Sequence, residues 1–267
     1  MSSSCCSSKS SDSGANPLDQ SQAVDDRYKA AAQAQEACLC TPVAFDSSLL
    51  KAIPRDVVER DYGCGDPTRW VKPDDTVLDL GSGSGKNSFI CAQVVGSGGA
   101  VIGVDRNIEM LTLARQAAPV VAQQIGFANV RFLEGSIEAL DALQSDGAPL
   151  IADRTIDLVL SNCVLNLVNP SARQALLANI RRVLRPKGRV AISDIVCDKP
   201  VPLVLQQDPE LWSGCISGAW QEEHFLEDFR AFGFEEVHYA DRSDQPWRVV
   251  EEIEFRAVTL VGQLPDF

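Results

Sequence analysis

The sequence predicts an α/β fold built on a mainly parallel sheet, and three observations carry that prediction. The apolar run Val77-Leu78-Asp79-Leu80 breaks into Gly81-Ser82-Gly83-Ser84-Gly85, and a helical pattern from Ser88 to Val95 follows at once. A second run, Ala100-Val101-Ile102-Gly103-Val104, ends in Asp105, about 20 residues past the last glycine. That is the spacing of a strand–loop–helix–strand unit whose glycines let backbone approach a nucleoside-bearing ligand, with the acid placed for two ribose hydroxyls. Apolar runs then keep alternating with helical stretches as far as Ser193, which implies ligands in the crevice beyond the strands' carboxyl ends.

The elements follow in order. Residues 1–25 are rich in Ser, Asp and Gln and are expected to be disordered. Residues 26–70 form an N-terminal arm. It opens with a helix over 26–40 that stops near Cys38-Leu39-Cys40-Thr41-Pro42, where proline discourages helix. A second helix is expected over Leu49 to Arg60, then the turn Asp61-Tyr62-Gly63-Cys64-Gly65-Asp66-Pro67. The core, 71–198, holds the glycine unit and an amphipathic helix from Ile108 to Ala118. Strands at 130–133 and 157–160, a helix at 171–184 and a strand at 189–193 complete it. The stretch 194–219 departs from this rhythm and contains Cys215. A helix at 222–232 and strands at 236–239 and 253–261 close residues 199–267.

Composition removes several function classes. The chain has 267 residues, 45% of them hydrophobic, which suits one sizeable core with appendages. A formal net charge of -13 opposes binding to a phosphate backbone, so no nucleic acid is expected. No apolar run is long enough to span a bilayer, and Met1-Ser2-Ser3-Ser4-Cys5-Cys6 lacks the apolar segment of a secretory signal. A cytoplasmic protein, expected to be monomeric, is the resulting reading. Nine cysteines are many for such a protein, and their odd number argues against a complete disulfide framework. Two histidines, His224 and His238, leave little for an imidazole metal site.

Topology sorts the cysteines. Cys163 directly follows the fourth core strand and Cys215 lies in the insertion after the fifth, so both belong on the ligand face. Cys64, with Cys38 and Cys40, precedes the first strand on a segment able to fold over that face as a lid. Cys91, inside the first core helix, reads as a small buried hydrophobe, and Cys197 as structural.

An acid two residues before the first glycine, in Asp79-Leu80-Gly81-Ser82-Gly83-Ser84-Gly85, resembles the S-adenosylmethionine (SAM) loop of class I methyltransferases more than a dinucleotide fingerprint. Three further segments are more specific. Asp61-Tyr62-Gly63-Cys64-Gly65, Ser161-Asn162-Cys163-Val164-Leu165-Asn166-Leu167 and Leu211-Trp212-Ser213-Gly214-Cys215-Ile216-Ser217-Gly218-Ala219 resemble motifs of the SAM-dependent arsenite methyltransferases. The tail 251–259 is similar to that family's closing segment, and the likeness runs from about Gln33 to Leu260. Two departures stand out. Cys38-Leu39-Cys40 replaces adjacent cysteines, and Ser82 and Arg106 replace the family's common cysteine and apolar residue.

The resemblance implies a Rossmann-like class I methyltransferase fold, with an N-terminal arm or lid and a C-terminal α+β substrate-binding extension. It implies that Cys163, Cys215 and Cys64 bind As(III). Cys38 or Cys40 would capture substrate or relay a disulfide with Cys64. SAM would contact Asp79, Gly81, Gly83, Gly85, Asp105, Arg106, Ile137, Glu138, Asn162 and Tyr62. Arsenite and methylarsenite would arrive as thiol adducts, with a small thiol or thioredoxin-type protein as reductant. The chemistry suits these residues: soft As(III) selects thiolates, and its lone pair attacks a methyl group held in line. No general base is then needed. A methyltransferase for a small organic acceptor, and a non-catalytic As(III)-binding protein, are the alternatives.

Overall fold

The computed structural model describes residues 24, 26, 27, 29 and 43–266. The expectations for most of the serine-rich tail, for most of the 26–40 helix and for Cys38 and Cys40 lie outside these residues; Val24, expected in the disordered tail, is instead helical and buried against the core. Val24, Asp26, Arg27 and Lys29 have helical backbone.

Among the described residues nine strands form one sheet: β1 (Thr76–Leu80), β2 (Ala100–Asp105), β3 (Val130–Glu134), β4 (Ile156–Asn162), β5 (Leu184–Cys197), β6 (Trp220–Gln221), β7 (Glu235–Arg242), β8 (Arg248–Val250) and β9 (Ile253–Gln263). Their order is β3-β2-β1-β4-β5-β9-β7, with β6 paired to β5 and β8 to β9. β1 to β5 are parallel, and β9 lies antiparallel between β5 and β7. The chain reverses direction across the sheet between β1 and β4, which opens a crevice at their carboxyl ends.

The helices are α1 (Ser47–Leu50), α2 (Arg55–Glu59), α3 (Lys86–Val95), α4 (Ile108–Ile125), α5 (Arg173–Val183), α6 (Leu203–Gln206), α7 (Pro209–Ser213) and α8 (Glu222–Ala231). Alternate strand residues face opposite layers. Val77, Val101 and Leu158 pack with Cys91, Ala92 and Val95 of α3. Leu78, Val104 and Val159 pack with Leu176, Ile180 and Val183 of α5 and with Phe225 and Phe229 of α8. Cys91 is fully buried in the first of these layers, as a packing residue would be.

Several elements differ from the sequence expectation for visible reasons. The arm's second helix is two short ones, because Pro54 restricts Ile53 and becomes the N-cap of α2. Helix α4 runs through Pro119 to Ile125 instead of ending at Ala118. Pro119 and Arg115 are exposed, so water can serve the Arg115 carbonyl that proline leaves unpaired. The apolar stripe of Met110, Leu111, Ala114 and Ala117 meanwhile continues to Val121. Strand β5 continues through Asp194 to Cys197, which places Cys197 within a strand. Within the same strand, Arg189 makes a bidentate pair with Asp75 (2.6 and 2.7 Å) and donates to the Trp70 carbonyl (2.5 Å), tying the arm's end to the core.

Candidate active site at the carboxyl end of the sheet

The glycine loop leaves β1 with its first two amides, Gly81 N and Ser82 N, both donating to the Val104 carbonyl (2.8 and 3.1 Å). Gly81 is left-handed (φ +71°), and a Cβ there would stand 2.5 Å from both Val164 methyls. The loop therefore turns tightly because it passes directly under the segment that carries Cys163. Asp105 closes the other side. Its Oδ2 accepts from Gly83 N and its Oδ1 from Asn107 N, both at 2.8 Å.

A cavity opens between these elements. Gly81, Gly83, Asp105, Arg106, Ile137, Glu138, Asn162, Tyr62 and Cys163 all line it. Gly85 and Asp79 do not. Gly85 caps α3 behind the loop, and Asp79 is buried beneath it, accepting from Ser88 Oγ at 2.6 Å. Burial pushes the Asp79 carboxyl up to about 7, against the Ser88 hydrogen bond.

Residues not expected as cofactor contacts also line the cavity, among them Val24 from the N-terminal segment, Asp61, Ser82, Asn87 and Met110. Asp61 pairs with the largely buried Lys86, whose ammonium also lies 3.7 Å from the Phe45 ring centre. Ser84 Oγ donates to the Val57 carbonyl at 3.0 Å. Arm and glycine loop are thus joined by charge and by hydrogen bond. Ser82 Oγ and Asn87 Oδ1 are buried without a hydrogen-bond partner among the described residues. Orphaned polar atoms, a backbone-lined loop and a strand-end acid fit a polar nucleoside ligand with a charged end, as SAM is.

Three cysteines from distant segments share one cluster, and one of them, Cys163, lines this cavity. Cys64, Cys163 and Cys215 share an apolar cluster with Ile195, Ile216 and Phe255, and each is nearly buried. Cys64 and Cys163 are joined as a disulfide, with Cα atoms 5.9 Å apart. The family likeness implied Cys38 or Cys40 as the partner of Cys64. Cys38 and Cys40 lie outside the described residues; among those described, Cys64 is paired across 99 residues with Cys163, because the arm turn rests directly on the end of β4. Cys215 lies against them, its Sγ donating to the Cys163 carbonyl at 3.3 Å. Both Cys163 (φ 59°) and Cys215 (φ 61°) have left-handed backbone. Such a conformation costs on the order of 1–3 kcal/mol each and persists where surrounding contacts hold it, often at functional sites.

Asp194 also lies here, and only its place at the end of an apolar run hinted at it. One carboxylate oxygen and the sulfurs of Cys64 and Cys163 are all within 4.8 Å of one another. Burial raises its carboxyl to about 7, opposed by backbone amides that include Ile195 N. Cys197 faces the Trp220 and Ala219 carbonyls, and burial pushes its thiol up to about 12.

Strand order, glycine loop and cavity define a class I methyltransferase. A methyltransferase domain family model matches residues 71–233. The arsenite methyltransferase of Aquipseudomonas alcaligenes is 36% identical over 208 residues, covering 78% of this chain and 57% of that protein. The human arsenite methyltransferase is 33% identical over 177 residues, covering 65% and 45%. The crystal structure of an arsenic(III) S-adenosylmethionine methyltransferase from Chlamydomonas reinhardtii superposes with a TM-score of 0.72 at 30% identity, over 83% of this chain and 74% of that one. The chain belongs to the arsenite methyltransferase family within the class I methyltransferases. It spans about half the length of the curated relatives it matches.

Proposed function

We propose that this chain is a SAM-dependent methyltransferase that grips As(III) through Cys64, Cys163 and Cys215 and methylates it to mono- and dimethylated species. The observation that carries this reading is the gathering of three cysteines, from the arm, the end of β4 and the segment after β5, in one cluster whose Cys163 lines the glycine-loop cavity. SAM, when bound, supplies a methyl group on a positively charged sulfonium.

The chain's own residues do the rest by positioning. Asp105 and the Gly81–Gly83 backbone hold the nucleoside, with Ile137 and Glu138 beside its base. Asp61, Tyr62 and Asn162 line the cavity on the arm and cysteine sides. The nearly closed apolar cluster around the thiols excludes water and leaves sulfur as the donor that a soft centre prefers. With Cys64 and Cys163 joined, those sulfurs are unavailable. A small thiol or thioredoxin-type dithiol must therefore give two electrons and two protons to the pair, becoming a disulfide itself. Arsenite then enters by exchanging its hydroxyls for thiolates, each thiol proton leaving with a hydroxyl as water, and its lone pair is the nucleophile. Each methyl transfer releases S-adenosylhomocysteine and leaves arsenic in the pentavalent state. Two thiols must therefore become a disulfide to return two electrons to arsenic before a second methyl is added. The scarcity of histidine is compatible with this chemistry, since the lone pair needs no base. In this reading the protein detoxifies arsenic in the cytoplasm as a monomer. Among the described residues no helix is long and apolar enough to cross a membrane.

Incubation with arsenite, SAM and glutathione, followed by arsenic speciation and S-adenosylhomocysteine assay, tests the proposal. Methylated arsenic formed with stoichiometric S-adenosylhomocysteine is expected. Arsenite binding without turnover would make this an arsenic-binding protein, and turnover only with an organic acceptor would sink the arsenic assignment.

A further inference from the structure

Asn162, at the end of β4, and Asn166, in the loop that follows, stand four residues apart with Cys163 between them. Both side chains are buried, and neither amide is spent on its own loop. Asn162 Oδ1 accepts from Cys64 N (2.9 Å) and Gly65 N (3.2 Å), and its Nδ2 donates to the Gly65 carbonyl (2.8 Å). This pattern fits only one orientation of the amide, since two backbone N–H groups and one carbonyl must all be matched. Asn166 Nδ2 donates to the Ile195 carbonyl (2.6 Å) and the Cys215 carbonyl (3.3 Å), while its backbone N donates to Asp194 Oδ2 (3.3 Å). One asparagine holds the turn bearing Cys64, and the other holds the loop bearing Cys215. Cys163 stands between them, its own N donating to the Ser193 carbonyl at 2.8 Å.

We propose that Asn162 and Asn166 are positioning residues that assemble the three thiols, Asn162 fixing Cys64 and Asn166 fixing Cys215 against Cys163. This deepens the arsenic reading of the site and rests on it only for the role of the assembled thiols. The physical argument is effective concentration. Segments 98 and 49 residues away in sequence from their asparagine partners must be held within a bond's reach of one side chain. Buried amide hydrogen bonds supply that restraint where a flexible loop would not. The site's packing agrees. A Cβ on Gly63 would stand 2.4 Å from Asn162 Nδ2, so the turn seats directly on that amide. A merely loop-stabilising asparagine would bond within its own turn.

The test uses the full-length protein and no arsenic, so it stands or falls apart from the arsenic reading. Two readouts are taken on folded variants. One is the equilibrium of the Cys64–Cys163 disulfide in glutathione buffers. The other is the alkylation rate of Cys215 in the reduced protein, followed by mass spectrometry. Asn162→Ala should lower the disulfide equilibrium constant roughly 10- to 100-fold, as expected for losing up to three hydrogen bonds. It should change Cys215 alkylation less than about twofold. Asn166→Ala should speed Cys215 alkylation roughly tenfold and leave the disulfide within about twofold. Gly63→Ala keeps Asn162 but pushes the turn off it, and should mimic Asn162→Ala. Asn166→Ser, which keeps one donor, should fall midway between parent and Asn166→Ala. These two variants carry the test should either alanine variant not fold. Both substitutions moving both readouts together, or neither moving its own, overturns the proposal.

Discussion

Replacing Gly81 with alanine probes the contact on which the site is built. The Gly81 backbone is left-handed at φ +71°, and the new methyl would stand 2.5 Å from both Val164 γ-methyls and 2.9 Å from Val164 Cβ. The backbone term costs about 1–2 kcal/mol, and overpacking against Val164 adds about 1–3 kcal/mol. The expected loss is therefore about 2–5 kcal/mol, large beside the usual margin of domain stability. The two terms separate experimentally. Val164→Ala removes both clashing methyls, so the double variant should recover most of the packing term and retain the backbone term. Urea unfolding of the four proteins of this cycle gives the energies, and calorimetric titration with S-adenosylhomocysteine reports whether the loop still binds. A Gly81→Ala variant within about 0.5 kcal/mol of the parent, or one that Val164→Ala does not rescue, would refute the idea that the glycine loop is pressed against the Cys163 segment.

Further outcomes follow from the same geometry. Asp79, with its folded-state value raised to about 7 by burial, contributes stability that is full below about pH 4 and lost as pH rises through 7. Asn at this position can still accept from Ser88, so Asp79→Asn should outlast the parent in thermal melts near pH 8, and the gap should close by about pH 4; a gap that widens toward acid contradicts this. Asp105→Ala removes the acceptor of the Gly83 and Asn107 amides and should weaken S-adenosylhomocysteine binding at least about tenfold by calorimetry. In the reduced protein Cys91 and Cys197, both held as high-pKa buried thiols, should react with iodoacetamide far more slowly than Cys64. Equal labelling of all of them would show that the site cysteines are not distinguished by environment.

Much of this architecture was legible from residue patterns, because it rests on local physics. Short apolar runs give the parallel strands, and the Asp79-to-Gly85 loop with Asp105 gives the cofactor crevice. What sequence could not supply depends on contacts between distant segments. β5 is expected to stop at Ser193 but runs on to Cys197, because the Asp194 carboxylate is buried on the amides of Ile195 and Asn166. Pro119 appeared to end α4, and only its exposed setting explains why it does not. β6 and β8 have two and three residues, too few to leave a period. The bond between Cys64 and Cys163 spans 99 residues, a separation at which spacing carries no signal. Asn162, read as a cofactor contact, lines the cavity but also spends its amide on the Cys64 turn. An amide side chain leaves no periodic trace of such a role.

The central claim is that sulfurs of Cys64, Cys163 and Cys215 together hold the arsenic atom beside the glycine-loop cavity. Arsenic K-edge X-ray absorption of the reduced protein with one equivalent of arsenite measures that coordination directly. The account predicts a first shell of three sulfurs, falling to two sulfurs and one oxygen in Cys215→Ser. A shell of oxygens, or a sulfur shell untouched by replacing any of the three cysteines, would contradict it.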